Sequence, residues 1–230
     1  MILDTFRLDG RVALVTGSTR GLGQGAAVAL AEAGADVALV DRGDASDTAD
    51  LVRATGRRAH LIRRDFVSAT PAELASAVDE TLAELGGLDI LVNNAGTIRR
   101  APVAEHSATD WNEVLAVNLD SVFHLSQAAG RHMIANGRGR IINVASMLSF
   151  QGGILVPGYT ASKHAVAGLT KALANEWAAS GVTVNAIAPG YMATDNTAPL
   201  RADEGRAASI LARIPAGRWG DASDLQGAFV

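Results

Sequence analysis

The chain contains no cysteine, and this absence excludes disulfide bonds, thiolate nucleophiles and cysteine-ligated metal sites. It also lacks an apolar run near the roughly 20 residues that a membrane-spanning helix needs. Its 20 basic and 24 acidic residues give a net charge of −4, and the basic residues are scattered, so no surface for nucleic acid or an anionic membrane is predicted. We therefore expect a cytoplasmic protein without a signal peptide, a membrane anchor or a nucleic-acid partner.

The composition is that of a globular protein rich in small residues. Of the 230 residues, 48% are hydrophobic, 24 are glycine and only 4% are aromatic. A chain of this length buries roughly 70–75% of the surface that its unfolded form exposes, so it needs neither a metal nor a disulfide to fold. The five histidines show no spacing typical of metal ligands, and no metal site is predicted.

Short apolar runs alternate with longer amphipathic stretches along nearly the whole chain. Six runs are predicted as strands: Arg11–Thr16, Asp36–Asp41, Ala59–Arg64, Leu88–Asn93, Arg140–Ala145 and Val182–Ile187. Five stretches are predicted as helices: Leu22–Ala33, Ala45–Ala54, Pro71–Leu85, Thr109–Asn136 and Tyr159–Ser180. Parallel strands need crossover helices and are covered on both faces, so this order predicts an α/β fold: a single doubly wound parallel sheet of the Rossmann type in three αβα layers.

No linker, repeat or low-complexity tract divides the chain, and residues 1–230 are predicted to form a single dinucleotide-binding and catalytic domain. The last ten residues, Asp221–Val230, read as a helix entering its apolar half. The six predicted strands leave the sheet without a closing partner, so we expect that a final C-terminal strand is lacking.

A glycine-rich segment, Thr16–Gly23, follows the first predicted strand and opens the first helix. Gly17 suits a tight turn, Gly21 lets phosphates approach the backbone, and Gly23 allows close packing of helix and strand. The N-terminal amides of such a helix bind a dinucleotide pyrophosphate. Because the spacing is G-x3-G-x-G rather than G-x-G-x-x-G, an ordinary glycine-rich loop is the alternative.

The second predicted strand ends at Asp41, eighteen residues after Gly23. A carboxylate here accepts hydrogen bonds from the adenosine ribose and repels a 2′-phosphate, which favours NAD as the cofactor. Arg20 and Arg42 favour the opposite, since either could pair with that phosphate. The carboxylate occupies the position that contacts the ribose, so we expect NAD, with NADP as the less favoured alternative.

Tyr159 and Lys163 lie four residues apart at the start of the last long helix, on one face and about 6 Å apart along the axis. An ammonium this close, helped by an oxidised nicotinamide, is expected to lower the pKa of the tyrosine from about 10 and to suit it to remove a hydroxyl proton. Ser146 and Asn93–Gly96 follow two other strands and are expected in the same crevice. A Y-x-x-x-K spacing also occurs by chance on many helices, so the pair alone does not establish catalysis.

Taken in order, these motifs resemble the short-chain dehydrogenase/reductase family. The resemblance rests on TGSTRGLG (16–23), Asp65, NNAG (93–96), VNL around Asn118, Ser146, YTASK (159–163) and NAIAPG (185–190), and it covers essentially the whole chain. It implies an NAD(P)-dependent oxidoreductase that is a homotetramer. Family members usually continue through a last parallel strand that helps to build a subunit interface, and assembly is therefore the property that the missing strand puts in doubt.

The resemblance also implies the role of each site residue. Tyr159 is the general acid/base, and Ser146 binds the reacting oxygen. Lys163 binds the nicotinamide ribose, and Asn118 holds a water of a proton relay. The implied cofactor-binding residues are Gly17, Thr19, Arg20, Gly21, Leu22, Gly23, Asp41, Asp65, Phe66, Asn93, Ala95, Gly96, Tyr159, Lys163, Pro189, Gly190, Met192 and Thr194. Structural alternatives exist, since serine, asparagine and aspartate also cap helices and close turns.

Polar residues around the predicted crevice indicate the class of substrate. Arg99 and Arg100 can form charge-assisted bonds to a carboxylate, although both could equally be exposed without a ligand. The amide of Gln151 can bind hydroxyls. This chemistry suits a small sugar acid better than an acyl chain or a steroid, which need a more apolar pocket.

Segments 189–197 and 213–220 resemble the members of the family that act on 2-dehydro-3-deoxy-D-gluconate and 2-deoxy-D-gluconate. The resemblance implies an NAD-linked interconversion of a hydroxyl and a ketone. The substrate contacts expected are Arg100, Ser146, Gln151 and Tyr159. An NADPH-dependent 3-oxoacyl-carrier-protein reductase and a non-catalytic dinucleotide sensor are the alternatives.

Overall fold

The computed structural model describes residues 1–230 and contains one parallel sheet of six strands in the order β3-β2-β1-β4-β5-β6. The strands are β1 (Val12–Thr16), β2 (Asp36–Asp41), β3 (Ala59–Arg63), β4 (Ile90–Asn93), β5 (Gly139–Val144) and β6 (Val182–Ile187). The helices are α1 (Gly21–Glu32), α2 (Ser46–Ala54), α3 (Pro71–Leu85), α4 (Ala108–Leu115), α5 (Ser121–Ala135), α6 (Pro157–Trp177), α7 (Ala198–Ala202), α8 (Glu204–Leu211) and α9 (Gln226–Phe229). The predicted three-layer α/β fold with a Rossmann-type parallel sheet is confirmed.

Both faces of the sheet are covered, which explains why its central strands are continuously apolar. Leu14 of β1 belongs to a core cluster of 22 residues that includes apolar side chains of α3, α5 and α6. Ala13 and Val15 belong to a second cluster of 16 residues on the other face, with side chains of α1 and α2. All five residues of β1 are buried.

One predicted helix is interrupted in the structure at Asn118, a residue of the predicted site. The stretch predicted as Thr109–Asn136 is two helices, α4 and α5, joined by a π-helical turn over Ala116–Asp120. At its centre Asn118 Oδ1 accepts the backbone N–H of Thr97 at 2.8 Å, and Nδ2 donates to the carbonyl oxygen of Thr97 at 3.0 Å. This side chain binds a loop distant in sequence, a typical setting for a π-helical turn at a functional site.

The other predicted boundaries differ by small amounts. Helix α6 begins at Pro157, two residues before the predicted start, because proline suits the first helical turn. The predicted helix within Asp221–Val230 is a 3-10 turn followed by the short α9. No helix of the structure combines the length and the apolar character needed to cross a membrane.

The strand order places the expected crevice at the centre of the sheet. The chain runs outward from β1 through β2 to β3 and then returns to β4 on the other side, so the connections diverge where β1 and β4 end. There Thr16 Oγ1 accepts the backbone N–H groups of Asn94 and Ala95, both at 3.0 Å. This bond joins the glycine-rich segment to the segment after β4.

Candidate active site

A cleft of about 460 Å³ opens where β1, β4 and β5 end. Most of the predicted site residues line it: Gly17, Thr19, Arg20, Gly21, Leu22, Asp41, Asp65, Phe66, Ala95, Gly96, Ser146, Tyr159, Lys163, Pro189, Gly190, Met192 and Thr194. Five predicted residues do not: Gly23, Asn93, Arg100, Asn118 and Gln151. The cleft therefore brings together segments that are separated by most of the chain length.

The glycine-rich turn forms one wall of the cleft and has no room for side chains. A Cβ on Gly23 would lie 2.0 Å from the carbonyl oxygen of Gly17, and a Cβ on Gly17 would lie 2.8 Å from Cα of Ala95. Gly23 thus packs behind the turn rather than at the cleft. Helix α1 has no side-chain cap at its N-terminus, so its first amides are available to an anionic group. These residues fit a dinucleotide pyrophosphate.

The end of the cleft beyond the glycine turn carries Asp41, Asp65 and Phe66. Asp41 Oδ2 accepts the backbone N–H of Thr19 at 3.1 Å, and this bond turns the carboxylate toward the glycine-rich segment. Arg20 does not face Asp41: its Nε pairs with Asp195 Oδ2 at 2.7 Å. The nearest arginine of the turn is therefore engaged by a carboxylate from the segment that follows β6.

Tyr159 and Lys163 lie on consecutive turns of α6, as predicted. Lys163 is 4% exposed, and its Nζ donates to the carbonyl oxygen of Val144 at 2.6 Å and lies 5.6 Å from the centre of the Tyr159 ring. No carboxylate pairs with this ammonium. Burial therefore lowers the pKa of Lys163 to about 8.

Opposing effects act on the pKa of Tyr159. Burial raises the pKa of the phenol. The groups that act to lower this pKa are Ser146, through a hydrogen bond, and Arg100, through its positive charge. The expected effect of the Lys163 ammonium together with an oxidised nicotinamide stays a prediction.

Two predicted asparagines lie behind the cleft. Asn93 is 3% exposed, and its Nδ2 donates to Ser126 Oγ and to Asn143 Oδ1, so its side chain joins β4 to α5 and β5 and its predicted contact with the cofactor stays a prediction. Asn118 is fully buried, and its Nδ2 also donates to Ser162 Oγ on α6 at 3.2 Å. Both side chains hold the elements that carry the site.

The two arginines after β4 have different environments. Arg99 pairs with Glu113 through both Nε and Nη2, and Asp110 lies 3.5 Å from its Nε. Arg100 has no carboxylate partner: its Nη2 donates to the carbonyl oxygen of Asn196 at 2.7 Å. Partial burial lowers the pKa of Arg100, and the charge interaction with Tyr159 acts in the opposite direction. Arg100 is therefore the uncompensated cation beside the tyrosine.

Gln151 is exposed and lies outside the cleft, so its predicted contact with the substrate is not supported by this structure. Sequence reasoning assigned no role to the turn Asp195–Thr197, which lines the cleft. It also missed the contacts of Asn94, whose Nδ2 donates to the carbonyl oxygens of Thr16 and Gly17 at 2.9 and 3.0 Å. The NNAG motif could have indicated Asn94, and the resemblance of segment 189–197 to other members of the family could have indicated the turn.

Comparison with known proteins gives consistent matches over the whole chain. The profile of the short chain dehydrogenase family matches residues 11–205. The 2-dehydro-3-deoxy-D-gluconate 5-dehydrogenase of Escherichia coli is 55% identical over 233 residues, covering 100% of this chain and 90% of that protein. The protein of the same name from Bacillus subtilis is 55% identical, covering 99% and 89%. A crystal structure of a gluconate 5-dehydrogenase from Burkholderia cenocepacia in complex with NADP and tartrate is 43% identical, with a TM-score of 0.94, covering 100% and 90%.

The buried ammonium predicts an unusual effect on stability. Lys163→Met should raise the midpoint of thermal unfolding at pH 7, because the apolar side chain fills the same space without the cost of burying a charge. The pKa of Lys163 is about 8 in the folded chain, against 10.5 for an ordinary lysine. Between these values the unfolded chain binds more protons, so the stability of the wild type rises with pH and the advantage of the variant shrinks.

Calorimetric unfolding of both proteins between pH 7 and pH 10 measures this difference. Lys171→Met is the matched control, since Lys171 is an exposed lysine two turns further along α6, and it should leave the midpoint nearly unchanged at every pH. A lower midpoint for Lys163→Met at pH 7 would contradict the prediction.

Proposed function

The chain belongs to the short chain dehydrogenase family and is an oxidoreductase, and on that premise we propose that it interconverts a hydroxyl and a ketone on a deoxy sugar acid of the gluconate class, with NAD as its cofactor. The observation that carries the proposal is that Tyr159 and Ser146 line a cleft whose glycine-rich wall fits a dinucleotide, while Arg100, just outside the cleft lining, acts on the phenol through its charge. The names of the relatives support the sugar acid.

In the proposed reaction the protein's own groups manage the proton and the position of the substrate. The nicotinamide, when bound, supplies the acceptor or donor of hydride. Tyr159 Oη takes the proton of the substrate hydroxyl during oxidation and returns it during reduction. Ser146, which acts to lower the pKa of the phenol, orients the reacting oxygen. The N-terminus of α6, which begins two residues before Tyr159, favours the phenolate through its dipole.

Arg100 is the proposed partner of the substrate carboxylate. Arg99 cannot serve, because two carboxylates already neutralise it. The guanidinium of Arg100 has five N–H donors, and its one bond, to the carbonyl oxygen of Asn196, leaves donors for a carboxylate. This cation also stabilises the phenolate of Tyr159, so substrate recognition and proton transfer share one charge.

NAD is the proposed cofactor because of how the charges at the adenosine end are distributed. The carboxylate of Asp41 is held at the turn by Thr19, where it repels a 2′-phosphate. Of the two arginines that could attract such a phosphate, Arg20 is paired with Asp195, whereas Arg42 lines the cleft without a carboxylate partner, so the proposal gives Asp41 more weight than Arg42. The Burkholderia relative is in complex with NADP. The proposed preference for NAD therefore rests on the side chains of this chain and not on its relatives.

The proposed activity predicts that the purified protein reduces NAD in the presence of 2-deoxy-D-gluconate. Tyr159→Phe should lower kcat by roughly 10²- to 10⁴-fold, because the phenol is the proton acceptor. Tyr191→Phe, which alters the chain's other tyrosine, is the control. Absorbance of the reduced nicotinamide measures the rates, and NAD binding to both variants should persist. Turnover of an acyl thioester but of no sugar acid would favour the alternative of a 3-oxoacyl-carrier-protein reductase. The names of the relatives do not favour that alternative. A near-normal rate for Tyr159→Phe would exclude the proposed mechanism.

The proposed preference for NAD predicts that removing the charge of Asp41 shifts the cofactor specificity toward NADP. Asp41→Asn keeps the acceptor for the N–H of Thr19 but removes the negative charge, so the ratio of kcat/KM for NAD over NADP should fall roughly tenfold. Asp44→Asn is the control, since Asp44 is an exposed carboxylate in the same loop. Initial rates with both cofactors give the ratio. An unchanged ratio in the Asp41 variant would show that the preference has another source.

The proposed role of Arg100 predicts a charge-specific loss. Arg100→Met should raise KM for the sugar acid about 10- to 100-fold, the value of a charge-assisted hydrogen bond, with little change in KM for NAD. Arg201→Met is the control, because Arg201 donates to the carbonyl oxygen of Thr194 in the same segment that Arg100 contacts but is not among the charges that act on Tyr159. Equal losses in the two variants would mean that Arg100 only holds that segment in place.

A further inference from the structure

Ser149 lies where the turn that carries Ser146 meets the helix that carries Tyr159 and Lys163. Its Oγ donates to the carbonyl oxygen of Lys163 at 2.7 Å and accepts the backbone N–H of Ser146 at 3.3 Å. Its own N–H donates to the carbonyl oxygen of Ser146 at 2.9 Å. The residue is 6% exposed, so these bonds are made in a nearly dry environment, where they are strong and costly to lose.

The rest of the turn is held by groups that do not belong to α6. The N–H of Met147 donates to the carbonyl oxygen of Pro189, after β6, at 3.0 Å. The N–H of Leu148 donates to Ser146 Oγ at 3.1 Å, which keeps that hydroxyl within its own turn. The hydroxyl of Ser149 is what bonds this turn to the main chain of α6. The position of Ser146 relative to Tyr159 therefore depends on it.

We propose that Ser149 is a positioning residue of the active site, which holds the hydroxyl of Ser146 against the phenol of Tyr159 by bonding at once to Ser146 and to the main chain of α6. Ser149 does not line the cleft, so it acts without contact to substrate or cofactor. The inference rests on the proposed function, because the role of Ser149 is exerted entirely through Ser146 and Tyr159.

Removing this hydroxyl should have two consequences. Ser149→Ala leaves the buried N–H of Ser146 without a partner, so the turn moves to find one. A displacement of about 1 Å at reacting groups costs on the order of 10²-fold in rate. The bond from Ser146 also lowers the pKa of Tyr159, so a looser bond raises this pKa.

Steady-state kinetics with 2-deoxy-D-gluconate test the first consequence. Ser149→Ala should lower kcat on the order of 10- to 100-fold with KM for NAD unchanged, and Ser149→Thr, which keeps the hydroxyl, should recover most of the rate. Thr81→Val is the control for the loss of a buried hydroxyl, since Thr81 Oγ1 donates to the carbonyl oxygen of Ala77 within α3, away from the site. Its kcat should equal that of the wild type.

A double-mutant cycle separates positioning from a general structural effect. In a Ser146→Ala background the hydroxyl to be positioned is absent, so adding Ser149→Ala should change kcat by less than about threefold. An additional loss as large as in the wild-type background would overturn the proposal, because Ser149 would then act independently of Ser146. A wild-type rate for the single variant Ser149→Ala would overturn it as well.

A readout without substrate distinguishes this proposal from the proposed function. The chain has two tyrosines, so in a Tyr191→Phe background the tyrosinate absorbance with NAD bound follows Tyr159 alone. Ser149→Ala should move this titration to higher pH, and Ser149→Thr should not. An unmoved titration overturns the positioning role even if the enzyme is active. A moved titration in a protein that turns over no sugar acid supports the positioning role and overturns the proposed function.

Discussion

The site depends on two hydrogen bonds that Lys163 makes, one through its ammonium and one through its main-chain carbonyl oxygen. Its ammonium donates to the carbonyl oxygen of Val144 at the end of β5, and its own carbonyl oxygen accepts the hydroxyl of Ser149. One residue thus fixes α6 to the sheet and to the turn that carries Ser146. Burying an ammonium without a carboxylate lowers stability, and this cost is typical of a position retained for function. Tyr159, one turn earlier, is directed to the cleft as a result.

The opposite wall depends on the absence of side chains. Gly17 and Gly23 approach backbone atoms so closely that a methyl group at either position would displace the chain. The side-chain amide of Asn94 donates hydrogen bonds to two carbonyl oxygens of this turn. The first residues of α1, Gly21 and Leu22, therefore line the cleft, and no side chain caps the helix there. Because β1 and β4 are neighbours at the point where the connections diverge, the two walls face each other across a short distance.

Ion pairing distinguishes the arginines on either side of the cleft. Arg99 is neutralised by Glu113 and Asp110, and Arg20 by Asp195. Arg100 alone of these arginines has only a carbonyl partner, and it is the one that influences Tyr159. Two cations without a carboxylate partner, Lys163 and Arg100, therefore flank the proton-transfer group, and this charge favours a small anionic substrate over a neutral or extended apolar one. Pairing, rather than the number of arginines, therefore decides what the cleft accepts.

The sequence by itself determined the strands, most helices, the fold and the ordered motifs, because apolar periodicity, caps such as Thr70 before α3, and turn glycines act between near neighbours in the chain. Only the tertiary structure decided that Asn93 is buried, that Asn118 interrupts a helix, that Arg99 is paired while Arg100 is not, and that Ser149 joins two segments of the site. Burial and the choice of partner arise from contacts between residues far apart in sequence, and no local pattern contains them.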